Sequence, residues 1–175
     1  MLIGNFFKEI ELKYKRHYFS GLSSNSLKCK KNHIFFAIRG NEINGNKYIK
    51  HALKNGAKTI ISDQKFEGIK KNILFIRSSN VRKLLSEFAY KIYKDKPKNI
   101  IAVTGTNGKS SVSDFYFQIL KLKKKKVASI GTLGIKTQSG IKKVSNTTVN
   151  PITLSKTLNI LKKKKIDNVI IEASS

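Results

Sequence analysis

Residues 99–120 read Asn-Ile-Ile-Ala-Val-Thr-Gly-Thr-Asn-Gly-Lys-Ser-Ser-Val-Ser-Asp-Phe-Tyr-Phe-Gln-Ile-Leu, and they carry the most specific pattern in the sequence. The apolar run from Ile100 to Val103 predicts a buried strand, and the segment after it predicts an amphipathic helix that begins near Lys109. Between them lies a turn that contains Gly105 and Gly108. A strand, a glycine turn and a helix that starts with Lys-Ser are typical of a phosphate-binding loop.

The residue types in this loop suit the chemistry of a bound nucleotide. Glycines let the backbone approach phosphates closely, and the helix start offers free N–H groups to them. Lys109 is expected to neutralise phosphate charge, and the hydroxyl of Ser110 is expected to bind Mg²⁺. The usual motif has four residues between its first glycine and Gly-Lys, whereas this chain has two, Thr106 and Asn107.

Composition narrows the class of protein. The formal net charge of +26 favours a nucleic-acid-binding module as an alternative function. Only four of the 36 basic residues are arginine, the better base and phosphate reader, which favours solvated lysine-rich surfaces instead. A single cysteine, Cys29, excludes an internal disulfide. Residues 1–11 lack the pattern of a signal peptide, and no apolar run is long enough to span a membrane, so we expect neither kind of segment. We expect a cytoplasmic, monomeric protein that binds no nucleic acid and does not insert into membranes.

Alternating strand and helix patterns on both sides of Pro97 predict an α/β protein. We place a domain boundary there, which gives domains at residues 1–97 and 98–175. Apolar spacing also predicts a helix near the N-terminus and another that Asn80 caps. The helix that Asn80 caps is predicted at residues 80–94, and further helices are predicted at residues 46–55 and from Pro151 onward. Further strands are predicted at residues 32–39, 58–62, 73–77, 127–130 and 168–175.

One acidic residue has an informative position. Glu172 follows the apolar run 169–171, and the chain has only ten acidic residues. The carboxyl ends of parallel strands share one sheet edge, so we expect Glu172 to face the phosphate loop and bind Mg²⁺. Gly131-Thr-Leu-Gly134 follows another predicted strand and is expected at the same edge.

Several segments together resemble the Mur ligase family, whose phosphate loop has the same shortened spacing. Residues 23–26, 32–40, 44–45 and 48–49 resemble the family's UDP-binding domain. Within the family the resemblance is closest to ligases that add the third amino acid to the UDP-MurNAc-dipeptide. The segments of the second half that carry it are Thr104-Gly-Thr-Asn-Gly-Lys-Ser-Ser111, Gly131-Thr-Leu-Gly134, Asn146-Thr-Thr148, Asn150-Pro-Ile-Thr-Leu154 and Ile171-Glu-Ala-Ser-Ser175.

The resemblance implies an N-terminal UDP-binding α/β domain followed by the first half of a phosphate-loop α/β domain. It implies an ATP- and Mg²⁺-dependent amide ligase of peptidoglycan-precursor synthesis, acting through an acyl phosphate on UDP-MurNAc-L-Ala-D-Glu and an amino acid, for which meso-diaminopimelate is expected. The implied roles are catalysis by Lys109, ATP binding by Gly105, Thr106, Asn107, Gly108, Lys109, Ser110 and Ser111, Mg²⁺ binding by Ser110 and Glu172, and substrate binding by Ser24, Ser26, Asn41, Glu42, Ile43, Asn146, Thr147, Thr148 and Ser174.

The chain departs from the family pattern in two places. Asn25-Ser26-Leu27 stands where the family usually has Asp-Ser-Arg, so an arginine contact to the nucleotide is missing. The sequence also stops at Ser175, where the family continues with His-Gly or a similar pair, so we expect a fragment or a truncated reading frame that is inactive alone. An alternative assignment to another amide ligase of this group, such as a folylpolyglutamate synthase, does not account for the first 97 residues.

Overall fold

The computed structural model describes residues 1–7, 10–40, 43–142 and 150–173. The chain forms two compact units, Met1–Ile92 and Tyr93–Ser175, and each contains one five-stranded sheet flanked by helices. The boundary predicted near Pro97 lies a few residues after this division, and the roles assigned to the two parts stay predictions. Within the described residues, no helix is long and apolar enough to cross a membrane.

The first unit is built on a mostly parallel sheet in the order β1-β2-β3-β5-β4, in which only β4 runs antiparallel. Every residue of β3 is buried, as expected for a parallel strand that is covered on both faces. The strands are β1 (Gly21–Ser23), β2 (His33–Phe36), β3 (Thr59–Ser62), β4 (Gly68–Lys70) and β5 (Ile73–Arg77), and the helices are α1 (Ile49–Lys54) and α2 (Val81–Ile92).

Four phenylalanines form part of the core of this unit. Phe88 of α2 is fully buried, and its ring centroid lies 5.6 Å from that of Phe6 and 5.7 Å from that of Phe36. Phe19 packs edge-on against Phe6 at 5.2 Å. Aromatic pairs in this range of distance and angle add to the stabilisation that comes from burial. The aromatic contacts therefore join the N-terminal segment, β2 and α2.

The helix predicted at the N-terminus is wrong. The segment contains short 3₁₀ turns, Ile3–Asn5 and Leu12–Tyr14, and residues 8 and 9 lie outside the described part. Its backbone pairs with the chain that follows: Ile3 N–H donates to the carbonyl of His17 at 3.0 Å, and Phe19 N–H donates to that of Met1 at 2.8 Å. These long-range hydrogen bonds outweigh the helical spacing of the apolar side chains.

Several local signals are confirmed. The side chain of Asn80 accepts a hydrogen bond from Lys83 N–H at 2.9 Å, and that of Asn150 accepts one from Ile152 N–H at 2.8 Å. Gly56 follows α1 with φ +97°, the left-handed conformation expected of a glycine after a helix. The helix predicted at residues 46–55 begins as a 3₁₀ turn, Gly45–Tyr48, before α1, and β2 is shorter than the predicted strand.

The second unit has the strand order β6-β10-β7-β8-β9, with β6, β10 and β7 parallel and the last two strands antiparallel. The last strand in sequence thus lies between the first two of the unit. A cluster of apolar side chains from β7, β10 and α4 forms its core. The elements are β6 (Asn99–Val103), α3 (Lys109–Leu122), β7 (Val127–Gly131), β8 (Gly134–Thr137), β9 (Gly140–Lys142), α4 (Pro151–Lys163) and β10 (Asn168–Glu172).

The burial predicted for β6 is wrong, although the strand itself is present. Ile100 and Ile101, on opposite faces, are 40% and 41% exposed, whereas Val169 and Ile170 of the neighbouring β10 are at most 1% exposed. Along α3, Phe115 and Ile119 are also exposed. Within the described residues, β6 is an edge strand of the sheet and has a single paired neighbour, β10.

Replacing Phe88 by alanine should lower the free energy of unfolding by about 3–5 kcal/mol, because it empties the aromatic core and leaves a cavity. Urea unfolding followed by circular dichroism measures this change, which suits a chain without tryptophan. Leu12→Ala, at a side chain that is 81% exposed, is the control and should change stability by less than about 0.5 kcal/mol. Equal effects of the two substitutions would contradict the proposed core.

Candidate functional site

The turn between β6 and α3 depends on glycine for its backbone conformation. Gly105 has φ +144°, and Gly108, which precedes the first residue of α3, has φ +79°. A Cβ added at Gly108 would meet no atom within 4 Å, so space does not require glycine there. Residues other than glycine rarely adopt these φ values. Because Gly108 has no side chain, it does not cap the first N–H groups of α3, and these groups stay available to a ligand.

The side chain of Lys109 lies back over this loop. Its ammonium group donates hydrogen bonds to the carbonyl oxygens of Gly105 and Thr106, the second at 3.2 Å. Lys109 is half-buried, whereas Thr106, Asn107, Ser110 and Ser111 are exposed. The lysine thus places its positive charge beside the accessible N-terminus of a helix, an arrangement that favours a bound anion.

The register of the parallel strands brings Ser110 and Glu172 together. Glu172 ends β10 opposite Val103 of β6, and the next residue, Ala173, donates its N–H to the carbonyl of Val103 at 2.8 Å. The hydroxyl of Ser110 donates to Oε2 of Glu172 at 3.0 Å. These two residues, 62 positions apart in sequence, therefore share the carboxyl edge of the sheet with the glycine loop.

A second hydroxyl at this edge, that of Thr132, is not among the predicted site residues. Oγ1 of Thr132 lies 3.4 Å from the same carboxylate oxygen of Glu172. The sequence pattern places Gly131-Thr-Leu-Gly134 at the carboxyl edge of the sheet, but it does not single out Thr132 as a contact of Glu172. The carboxylate of Glu172 thus has two hydroxyl neighbours, one from α3 and one from the turn after β7.

The oxygen ligands at this edge fit Mg²⁺, which prefers hard oxygen donors and usually takes one or two protein carboxylates together with phosphates and water. Ser110 and Glu172 offer one hydroxyl and one carboxylate. Within the described ranges, no three His, Cys, Asp or Glu side chains converge on a point. The donor set therefore suits a metal that is shared with a phosphate ligand rather than one that is held by protein alone.

A cavity of about 410 Å³ opens beside this edge, between α3 and the strands. Lys136 closes one side by pairing with Asp114 at 2.5 Å, and its ammonium lies 4.6 Å from the ring centroid of Phe117. The hydrogen bond from Lys136 lowers the pKa of Asp114. Ser113 also lines the cavity, and its buried hydroxyl has no hydrogen-bond partner in the part of the chain that the structure describes.

The first unit contains a separate cavity of about 540 Å³, and three of the predicted substrate-binding residues line it: Ser24, Ser26 and Ile43. The other predicted substrate-binding residues, Asn41, Glu42, Asn146, Thr147, Thr148 and Ser174, lie outside the described residues.

His51 is a residue of this cavity that sequence reasoning missed. It belongs to α1, and its Nδ1 lies 3.0 Å from the hydroxyl oxygen of Ser26, which is 25 residues earlier in the chain. Asn55, just after α1, donates its side-chain N–H to the backbone carbonyl of Ser26 at 2.9 Å. No local pattern signals these contacts, because they depend on how α1 packs against the turn Ser26–Lys28.

Comparison with known proteins identifies the family of both units. The family model described as "Mur ligase family, catalytic domain" matches residues 18–93, and the one described as "Mur ligase middle domain" matches residues 103–175. A curated relative from Fusobacterium nucleatum, named UDP-N-acetylmuramoyl-L-alanyl-D-glutamate--2,6-diaminopimelate ligase, is 36% identical over 168 residues, which are 96% of this chain and 34% of the relative.

Solved structures give the same result. A structure titled as that of a UDP-N-acetylmuramoyl-L-alanyl-D-glutamate--2,6-diaminopimelate ligase has a TM-score of 0.80 and 25% identity, over 99% of this chain and 36% of the other. MurF ligase from Thermotoga maritima, solved in complex with ADP, has a TM-score of 0.55 and 21% identity over 87% and 31% of the two chains, which shows a shared fold. The chain spans about a third of the length of these relatives. Since the two family models match residues 18–93 and 103–175, the chain belongs to the Mur ligase family.

Proposed function

We propose that the chain is the UDP-substrate-binding and initial ATP-binding part of a ligase that adds meso-diaminopimelate to UDP-MurNAc-L-Ala-D-Glu. The observation that carries the proposal is the meeting of Ser110 and Glu172, 3.0 Å apart, beside a glycine loop and a helix N-terminus. The curated relative that is 36% identical carries the name of this activity. We assign the ATP-binding role to residues 98–175 and the UDP-binding role to residues 1–97.

In such a ligase, a substrate carboxylate oxygen attacks the γ-phosphorus of ATP, the β–γ anhydride bond breaks, and ADP leaves. The amine of the amino acid then attacks the acyl phosphate, forming the amide and releasing phosphate. A bound Mg²⁺ would supply charge neutralisation at the phosphates. The glycine loop and the first N–H groups of α3 bind phosphate oxygens. Lys109 exchanges its hydrogen bonds with the carbonyls of Gly105 and Thr106 for bonds to a phosphate, and so stabilises charge that develops during transfer. Ser110 and Glu172 would hold Mg²⁺, while Thr106, Asn107, Gly108 and Ser111 would complete the ATP site.

The cavity of the first unit takes the uridine part of the substrate, with Ser24, Ser26 and Ile43 as contacts. Its walls combine polar groups with the apolar side chains of Phe35 and Tyr48, a mixture that suits a flat, polar base. Asn41 and Glu42 belong to the same proposed site, and Asn146, Thr147, Thr148 and Ser174 are assigned to the sugar-peptide part. We also propose that the protein is monomeric and acts in the cytoplasm.

Replacing Lys109 by alanine should weaken binding of a non-hydrolysable ATP analogue with Mg²⁺ by about 10- to 100-fold, because hydrogen bonds from a charged group contribute roughly 1.5–3 kcal/mol. Binding of UDP, which we assign to the first unit, should stay unchanged. Isothermal titration calorimetry of the chain with each ligand measures both affinities.

Lys121→Ala is the matched control, since it removes the same charge from an exposed site in the last turn of α3. It should leave both affinities within about twofold if exposed charges contribute little. Wild-type affinity of Lys109→Ala for the ATP analogue would contradict the ATP site. Salt-sensitive binding of duplex DNA, without binding of either nucleotide, would instead favour the nucleic-acid-binding alternative.

The proposed metal site depends on a residue without a side chain. A Cβ added at Gly131 would lie 2.3 Å from Cδ of Glu172, so the glutamate packs directly against this glycine. Because the end of a glutamate side chain can move, Gly131→Ala should displace the carboxylate from Ser110 while the sheet stays folded.

We expect Gly131→Ala to weaken Mg²⁺-dependent binding of the ATP analogue about 10-fold, as the loss of one hydrogen bond to a charged group predicts. Titrations with Mg²⁺ and with EDTA separate the metal-dependent part of the affinity, and thermal unfolding checks that the fold is intact. Glu172→Gln, which keeps the side-chain shape and removes its charge, should reproduce the loss. If both variants keep the wild-type response to Mg²⁺, Glu172 is not a metal ligand.

A further inference from the structure

The turn that carries Ser26 is held in a defined conformation by several hydrogen bonds. The hydroxyl of Ser23 donates to the carbonyl of Asn25 at 2.7 Å, and the side chain of Asn25 accepts from Leu27 N–H at 2.9 Å. From α1, the side chain of Asn55 donates to the carbonyl of Ser26. The backbone of Ser26 is therefore positioned by its neighbours, and what remains to be set is the direction of its hydroxyl hydrogen.

His51 is the residue that contacts this hydroxyl. Its Nδ1 lies 3.0 Å from the hydroxyl oxygen of Ser26, and that is the hydroxyl's one hydrogen-bond contact recorded among the described residues. Ser26 is 6% exposed, so its hydroxyl is largely removed from solvent. A buried donor without an acceptor costs free energy. In the tautomer with the histidine proton on Nε2, Ser26 donates to Nδ1, and this donation satisfies the hydroxyl hydrogen.

This direction decides what Ser26 offers to a ligand. A hydroxyl has one hydrogen and two lone pairs, so once its hydrogen is engaged with His51 the oxygen acts as an acceptor. Ser26 and His51 both line the cavity of about 540 Å³. The cavity thus presents an oxygen that favours a ligand N–H and disfavours a second acceptor at the same point.

We propose that His51 is a positioning residue that orients the hydroxyl of Ser26 as an acceptor, and that this orientation selects uracil over cytosine. The proposal rests on the UDP-binding role proposed above for the first unit. Uracil has a donor at N3, whereas cytosine has an acceptor there, so an oriented acceptor separates the two bases. A site built to hydrogen-bond a particular group rejects an analogue that lacks it, because a buried polar group is then left unpaired.

The test uses UDP and CDP as probes with the complete chain, and calorimetry to measure both dissociation constants. His51→Phe keeps an aromatic ring but removes the acceptor. It should raise the dissociation constant of UDP about 10-fold, a change of about 1.4 kcal/mol, and leave that of CDP within twofold, so that the preference for UDP falls. His51→Asn keeps an acceptor oxygen at the same number of bonds from Cα and should stay within about threefold of wild type.

A double-mutant cycle separates positioning from packing. In a Ser26→Ala background, His51→Phe should change UDP affinity by less than about twofold, because its effect acts through the absent hydroxyl. Lys54→Ala, at an exposed lysine of the same helix, is the control and should leave both affinities unchanged. Thermal unfolding of each variant reports whether the fold is kept.

Three outcomes would overturn the proposal. The first is an unchanged preference for UDP over CDP in His51→Phe, and the second is equal loss in His51→Asn and His51→Phe, which would indicate a packing role. The third is a full effect of His51→Phe in the Ser26→Ala background. Failure of the wild-type chain to bind UDP is a different result, since it refutes the function proposed for the first unit before any variant is compared.

Discussion

Parallel pairing of β10 between β6 and β7 is the constraint on which the second unit depends. The hydrogen bonds between the strands fix their register, which places Glu172 opposite Val103. The glycine loop begins directly after Val103, so the carboxylate and the loop meet at one edge. A slip of one residue would turn Glu172 to the other face of the sheet. The contact between Ser110 and Glu172 is therefore a consequence of strand register.

The two sheets bury their strands to different extents. In the first unit, β3 is buried along its whole length, with β2 and β5 paired on either side. In the second, β7 and β10 are buried but β6 is exposed on both faces, although it is equally apolar. Parallel strands are normally covered on both faces. Hydrophobic composition alone therefore does not determine burial, because a strand is buried only where other parts of the chain pack on its faces.

The high positive charge is carried mostly by solvent-facing lysines. The described part of the chain contains four ion pairs. Three of them include a side chain that is at least half exposed, and in the fourth, Lys162 with Asp167, both side chains are about a third exposed. Exposed pairs of this kind contribute little to stability. The basic run at residues 121–126 is exposed throughout, as a solvated helix end should be. Charge thus affects solubility and association more than the fold.

Local features could be read from the sequence because they depend on neighbouring residues. The helix starts at Asn80 and Asn150, the strand–loop–helix order around Gly105 and the position of Glu172 after an apolar run all follow from short-range patterns. The N-terminal segment could not be read in this way. Its backbone pairs with residues 15–19, and that pairing outweighs the helical spacing of its side chains.

By itself, the sequence determined the α/β class, the phosphate-loop pattern and the identity of the residues that could bind phosphate and metal. The tertiary structure gave the contacts themselves: the meeting of Ser110 and Glu172, which the strand pattern predicted, and the contacts of Thr132 with Glu172 and of Ser26 with His51, which no pattern predicted. These contacts join residues far apart in the chain, and they depend on sheet register and helix packing. Local propensity and spacing do not encode register distances or helix packing, so the contacts of Thr132 and His51 come from the folded chain alone.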